Sequence, residues 1–400
     1  MQGLKSNKRY IQADILTHYR IANFIVAIYF ITTLILPAAI FNKILFVMLA
    51  VMYIPLFLKR SPLVKPFFTL ATIFLLNFIL SFVGVVDRGL SLHLILSISS
   101  LLLVFIVLRF NINVDFIVKL SGISLCMASV VFFIAIVGFP SSPLTPQVFE
   151  IYTKYGLGAY GIKGYSDTEY VMFHLATTPF LYLPFCLFLG SFLKTKSILD
   201  LLALVLIVII LITSFSRGVL GISIIAGTII LISAVKKIWI PIVFPTLLIV
   251  TISGAIFLAF TTTVFSTNEG SNNTKLGHYS SFKNSVTPIH LLFGEGLAAF
   301  YYSEGRHQYV PETEITPADF IRYMGLIPSL IVFYTIIFPI NTKRVYVGEN
   351  LIPTTVFILY VFLSFTNPVL FNSAGLLIVV WYWTKLFQIN HAAVFIKKSA

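Results

Sequence analysis

Charge is scarce in this chain: Asp, Glu, Lys and Arg make up 10% of its 400 residues, and only 14 are acids. Soluble domains carry about 25% charged residues, so a water-soluble globule is excluded. Cysteine is nearly absent. Cys126 and Cys186 both stand inside apolar runs, where they act as small hydrophobes and not as a disulfide framework. Metal-ligand spacing is missing as well: no C-x-x-C or H-E-x-x-H occurs, and His278 and His290 are not spaced as ligands, so no metal site is expected. The FGEG run at 293–296 has no strand before it and no Gly-Lys-Ser/Thr after it, which excludes a phosphate-binding P-loop. No internal repeat is found, so the inverted-repeat layout common among secondary transporters gains no support. The N-terminal MQGLKSNKRYIQADILTHYR lacks a short apolar core with a small-residue cleavage site and reads as a cytoplasmic tail.

What fills the chain instead is hydrocarbon: 58% of residues are hydrophobic and the mean hydropathy is +0.98. The apolar runs are continuous and not alternating, which selects helices over a membrane β-barrel. The expected fold is therefore all-α: one integral membrane domain over 1–400, a polytopic bundle of about twelve spans. These are placed at roughly 21–40, 43–58, 67–86, 91–108, 116–138, 171–192, 198–215, 218–235, 238–264, 317–339, 351–367 and 370–388. With the N-terminus inside, 18 of the 27 basic residues fall on inner segments and nine on outer ones, and every inner connection carries at least two positives. That satisfies the positive-inside rule and puts both termini in the cytoplasm. The net charge of +13 is thus an orientation signal at span ends, and no nucleic-acid partner is implied.

Two long loops then face outward, about 139–170 and 265–317. The first opens with Pro140, Pro143 and Pro146, continues through Gly156, Gly158, Gly161 and Gly164, and is studded with Tyr152, Tyr155, Tyr160, Tyr165 and Tyr170. Tyrosines here fit either a platform for sugar rings or an interfacial aromatic belt. Tyr160 and Tyr165 are the sugar-binding candidates of this loop, Tyr301 and Tyr302 those of the second. His174, at the start of the sixth span, is an ionisable group at membrane depth and so a functional candidate. The stretch from about Phe265 to Met324 holds six of the 14 acids and reads as the working head.

The seventh span ends LITSFSRGVLG, leaving Arg217 as the only charge between two apolar runs. A guanidinium at headgroup depth grips phosphate through two parallel hydrogen bonds; alternatively it snorkels to mark the turn. Gly218 beside it would let the backbone come close to a ligand.

These residues carry a resemblance. A Ser-Arg-Gly turn between two spans, then two more spans and a long outer loop, resembles the O-antigen polymerase and ligase superfamily. In the loop, SFKNSVTPIHLLFGEGL is similar to that family's pattern of a basic residue, a ten-residue gap and Gly-x-Gly, with Lys283, Gly294 and Gly296 in the three places. Many members have arginine where Lys283 stands. The loop exit, ETEITPADFIRYMGLIPSL, resembles the family's segment before a Tyr-x-Gly-Leu-Ile helix start. Eleven residues before Gly325, where ligases commonly carry histidine, this chain has Glu314, which favours a polymerase over a ligase.

The resemblance covers about Leu211 to Phe333. It implies glycosyl transfer at the outer face of a bacterial inner membrane: a growing glycan leaves undecaprenyl pyrophosphate for the next lipid-linked repeat unit, yielding O-antigen or capsular polysaccharide. It implies no cofactor, no metal and no nucleotide sugar, a substrate lipid in the membrane, and a chain-length regulator protein as partner. A pyrophosphate leaving group needs cations, for which Arg217, Arg306, Arg322 and Lys283 are the candidates. The attacking hydroxyl needs a base, with Glu314 the first choice and His307 the second. Asp319 and Arg322, three apart, share a helix face as a structural or functional ion pair. The rival activities are an O-antigen ligase passing the same donor to lipid A core, and a flippase or transporter for the same lipid-linked sugar.

Overall fold

The computed structural model describes the backbone of residues 2–37, 40–57, 62–139, 142, 145–154, 156–165, 168–234, 270–340 and 350–399; the expected span 238–264 lies outside the described residues. The described residues are mostly helical, at 76%. Among the described residues, four stretches are long and apolar enough to cross a membrane: Arg88–Arg109, Val114–Gly138, Thr178–Thr195 and Arg217–Ala234. Tyr19–Ile35, Val64–Leu80, Ile198–Thr213, Leu326–Ile337 and Leu351–Leu363 are shorter apolar helices.

In chain order the helices are α1 (Gln2–Ile35), α2 (Ile40–Phe57), α3 (Val64–Leu80), α4 (Arg88–Ser99), α5 (Leu103–Arg109), α6 (Val114–Phe133), α7 (Thr145–Lys154), α8 (Tyr182–Thr195), α9 (Ile198–Thr213) and α10 (Arg217–Ala234). After the undescribed segment come α11 (Gly270–Ser285), α12 (Pro288–Phe293), α13 (Thr316–Met324), α14 (Leu326–Ile337), α15 (Leu351–Leu363) and α16 (Ser373–Ser399).

The core gathers on α16, whose residues Leu376–Trp383 are all buried. Where the surroundings are apolar, burial alone drives helices together weakly, and packing with hydrogen bonds does the work. Aromatic polar tips supply those bonds. Trp383 Nε1 donates to the Ile336 carbonyl at 3.0 Å, Tyr382 to Ile337 at 2.8 Å and, from α8, Tyr182 to Val356 at 2.8 Å. Midway along α16, Asp115 accepts from Trp381 Nε1 at 2.8 Å and pairs with Lys385 Nζ at 2.5 Å, tying the start of α6 to the hub.

Two expected spans are redrawn. The sixth, 171–192, loses its first residues to a β-hairpin: β1 (Gly158–Tyr165) pairs antiparallel with β2 (Thr168–Leu175), and helix begins only at Thr178. His174 therefore sits on a strand. Inside the hairpin mouth the buried Tyr152 hydroxyl donates to the carbonyls of Ala159 (3.0 Å) and His174 (2.5 Å), closing the first loop on itself. The tenth, 317–339, divides at Gly325 (φ 82°) into the short α13 and the apolar α14. α13 thus belongs to the polar head and not to the apolar helix that follows it.

The Gly-x-Gly of the second loop explains that division. Glu295 N and Gly296 N donate to the carbonyls of Arg322 (2.8 Å) and Tyr323 (2.9 Å), orphan acceptors at the end of α13. The approach demands bare Cα atoms on both sides. A Cβ on Gly294 (φ 74°) would lie 2.4 Å from the Tyr323 oxygen, and one on Gly325 2.3 Å from the Leu292 oxygen. The strap continues across the third and fourth helices: Val86 bridges Ala299, Asp87 N donates to Ala298 O at 3.0 Å, and Ser91 Oγ to Leu297 O at 2.6 Å. A second hairpin, β3 (Tyr301–Ser303) with β4 (Gln308–Val310), then stands on this strap.

Candidate functional site

Where the two long loops meet the helix ends, they enclose a cavity of about 550 Å³. Its walls come from α4 (Leu90, His93, Leu94), β2 (Met172, His174), the α9–α10 turn (Ser214 to Gly218), α11 (Lys275), the second hairpin (Arg306), the hairpin exit (Glu312, Glu314), α13 (Thr316, Asp319, Phe320, Tyr323), and the turn into α16 (Asn367, Pro368, Val369, Phe371, Asn372). Apolar and ionisable groups thus share one space. Three cations reach it from three separate elements: Arg217, Lys275 and Arg306.

Arg217 is the first residue of α10, so its guanidinium adds to the positive end of a helix dipole. The turn before it is tight: Ser214 Oγ donates to Leu211 O at 2.7 Å and accepts from Ser216 N at 3.3 Å. Phe215 pays with a left-handed backbone (φ 50°), uncommon for a bulky residue, and lines the cavity. Arg217 Nη2 donates to Asn272 Oδ1 of α11 at 3.1 Å. Gly218 serves packing, not an open approach: a Cβ there would meet Leu363 Cδ1 at 2.9 Å and Asn367 Nδ2 at 3.0 Å.

Glu314 is held by two of the cations. Lys275 Nζ lies 3.6 Å from one carboxylate oxygen and Arg306 Nη2 3.7 Å from the other. Glu312, two residues earlier, lines the same cavity and has no ion-pair partner among the described residues. Its residue surface is exposed, although protein atoms crowd around the carboxyl on the cavity wall. Burial among protein atoms, reinforced by the charges of Asp319 and Asp87 and opposed by Arg306, pushes its carboxyl up to about 7.

The backbone on both sides of Glu312 is pinned by buried groups. The Pro311 carbonyl accepts from Arg322 Nη2 at 2.6 Å and from the Tyr323 hydroxyl at 2.6 Å. Thr313 N donates to both Asp319 oxygens, at 3.0 and 2.8 Å, and Thr313 Oγ1 adds a third bond at 2.9 Å. Arg322 is 1% exposed. Besides Pro311 it reaches the Ala299 carbonyl and Asp319 Oδ1 (3.4 Å), and its guanidinium lies over the Tyr301 and Tyr323 rings at 4.3 and 4.9 Å. Expected to face a ligand, Arg322 is absent from the cavity lining, and its donors go to protein carbonyls and Asp319 instead.

The remaining expected residues scatter. His307 occupies the exposed turn of the second hairpin (φ 51°) and Lys283 the exposed end of α11; neither lines the cavity. Tyr301 is buried, hydrogen-bonded at 2.9 Å to Nδ1 of the fully buried His278, which also contacts Ser303 Oγ at 2.9 Å. Burial, with help from Arg306 and against Glu314, lowers the His278 pKa and keeps the ring neutral. Tyr302 points the other way and meets Tyr309 edge to face, centroids 5.6 Å apart, as an exposed aromatic pair. Tyr160 is exposed against Phe149; the Tyr165 side chain lies outside the described residues. Lys275, Glu312, His93 and Tyr309 were not singled out from sequence. For Tyr309 a signal existed, since YYS and QYV flank a turn-rich EGRH. For the others only the tertiary contacts speak.

Among the described residues, no group of three or more His, Cys, Asp and Glu could hold a metal ion. No family model, no curated protein and no solved structure gives a significant match to the chain.

Proposed function

We propose that this chain is an inner-membrane glycan polymerase: about twelve spans, both termini cytoplasmic, and the cavity opening at the outer face. It transfers a growing glycan from a polyprenyl pyrophosphate carrier to the next lipid-linked repeat unit, as the resemblance of Leu211–Phe333 to the O-antigen polymerase and ligase superfamily implies. The observation that carries this reading is the cavity itself, where Arg217, Lys275 and Arg306 converge beside carboxylates at the ends of apolar helices. Such a place suits a substrate with an apolar tail, a pyrophosphate and a sugar. Developing charge on the departing pyrophosphate needs preorganised cations in a water-poor site more than an acid. The exposed Tyr302–Tyr309 pair offers ring faces for the glycan. A chain-length regulator is the expected protein partner.

Gel electrophoresis of surface glycan from cells lacking the gene tests this. The expected pattern collapses to core bearing a single repeat unit, because ligation survives while elongation stops. Loss of all lipid A-attached glycan, with long polymer left on the carrier, would identify a ligase. Carrier-linked single units trapped on the cytoplasmic side would identify a flippase.

A further inference from the structure

The polymerase reading leaves open which group takes the proton from the attacking sugar hydroxyl. A base must reach the substrate, keep a lone pair not engaged by a cation, and be held in one place. Glu314 reaches the cavity and is held in place, but it fails the second condition: each of its oxygens faces a cation, Lys275 at 3.6 Å or Arg306 at 3.7 Å. Its geometry is that of an anchor keeping those two cations in the cavity. His307, on the exposed hairpin turn, does not line the cavity at all.

Glu312 meets all three. It lines the cavity, it has no ion pair among the described residues, and the peptide units before and after it are fixed from below. The buried Asp319–Arg322–Tyr323 group makes sense in this light. Apart from the Arg322 bond to the Ala299 carbonyl, its side-chain hydrogen bonds to other residues involve Pro311 and Thr313, the two neighbours of Glu312, so a costly buried ion pair aims one carboxylate. Resting on the polymerase reading, we infer that Glu312 is the proton acceptor of the transfer and that Asp319, Arg322 and Tyr323 are its positioning residues.

The step balances without a co-reactant. The acceptor hydroxyl oxygen bonds to the anomeric carbon of the donor, and the bond from that carbon to the pyrophosphate oxygen breaks. The electron pair stays on the pyrophosphate, facing Arg217 and its neighbouring cations. The hydroxyl proton passes to Glu312 and from there to water. The ionisable groups around Glu312 are Asp87 at the start of α4, Arg306 on the hairpin, and Asp319 and Tyr323 on α13, with Glu314 two residues on and His93, His174, Lys275 and Arg217 on the other cavity walls. With its carboxyl up at about 7, Glu312 is half charged near neutral pH, and the fraction able to accept a proton grows as pH rises through that value.

The test is elongation by the full-length protein in proteoliposomes, with a lipid-linked pyrophosphate oligosaccharide as sole substrate, followed across neutral pH. Wild-type kcat should rise with pH up to about 7 and level off above it. Glu312→Gln should lose at least about a hundredfold and its residual rate should lack that inflection. Tyr323→Phe, which drops the bond to Pro311, should lower kcat about tenfold, the worth of one such bond, while leaving KM and the inflection in place; an unchanged kcat would remove the positioning role. Wild-type elongation that survives Glu312→Gln with its inflection intact overturns the base assignment alone. A wild-type protein that makes no polymer at any pH overturns the polymerase reading and this inference together.

Discussion

Arg217→Ala should abolish chain elongation while the protein accumulates normally in the membrane. The site around Arg217 is built to present a cation. The residue opens α10, its Nη2 is steadied by Asn272, and the turn that delivers it holds Phe215 in a left-handed conformation. Both the helix terminus and the guanidinium favour an anion at that spot. Removing one preorganised donor to a developing anion typically costs about a hundred- to a thousandfold in rate, enough to leave a single repeat unit on a glycan gel. Arg217→Lys should remain poor, because a point charge cannot reproduce a planar fork bidentate to phosphate. Full activity in the alanine variant would remove the pyrophosphate clamp from the mechanism.

The largest stability loss should come from Arg322→Met. The guanidinium is 1% exposed and serves the carbonyls of Ala299 and Pro311 together with Asp319. Methionine fills much of the volume but leaves the Asp319 carboxylate uncompensated in a buried place, which costs about 3–5 kcal/mol. The Thr313 bonds to Asp319 cannot neutralise that charge. Adding Asp319→Asn to Arg322→Met removes the orphaned charge and should recover part of the loss. Thermal melting in detergent measures both variants. Arg322→Met melting with the wild type would show that the pair does not hold the head together.

How far the residues alone disclose this protein differs from element to element. Scarcity of charge and uninterrupted apolar runs are enough to announce a helical bundle, because lipid-length hydrophobicity needs no partner to be recognised. The polar stretch after Phe265 is equally plain as the head. The break at Gly325 is not. Apart from Arg322, residues 320–337 stay largely apolar on both sides of it, and only the approach of the FGEG strap, with Gly294 packed against the Tyr323 backbone, makes a helix end necessary there. Glu312 and Glu314 look alike in sequence, two residues apart in PETEIT. What distinguishes them is which one Lys275 and Arg306 reach, a contact between distant segments that no local pattern encodes. Arg322 misled for a related reason. Arginine in a polar loop suggests a ligand, whereas the carbonyls of Ala299 and Pro311 that claim it are positioned by the strap and the second hairpin. Tyr301 and Tyr302 are a milder case: strand parity alone sends one inward and one outward, once the hairpin is recognised.

Reconstitution tests the central claim most directly. The purified full-length protein in proteoliposomes, given only a polyprenyl-pyrophosphate-linked oligosaccharide, should yield a ladder of carrier-bound products at whole multiples of the repeat unit. One free polyprenyl pyrophosphate should appear for each linkage made. Substrate recovered unchanged, or moved across the bilayer without growing, would contradict a polymerase.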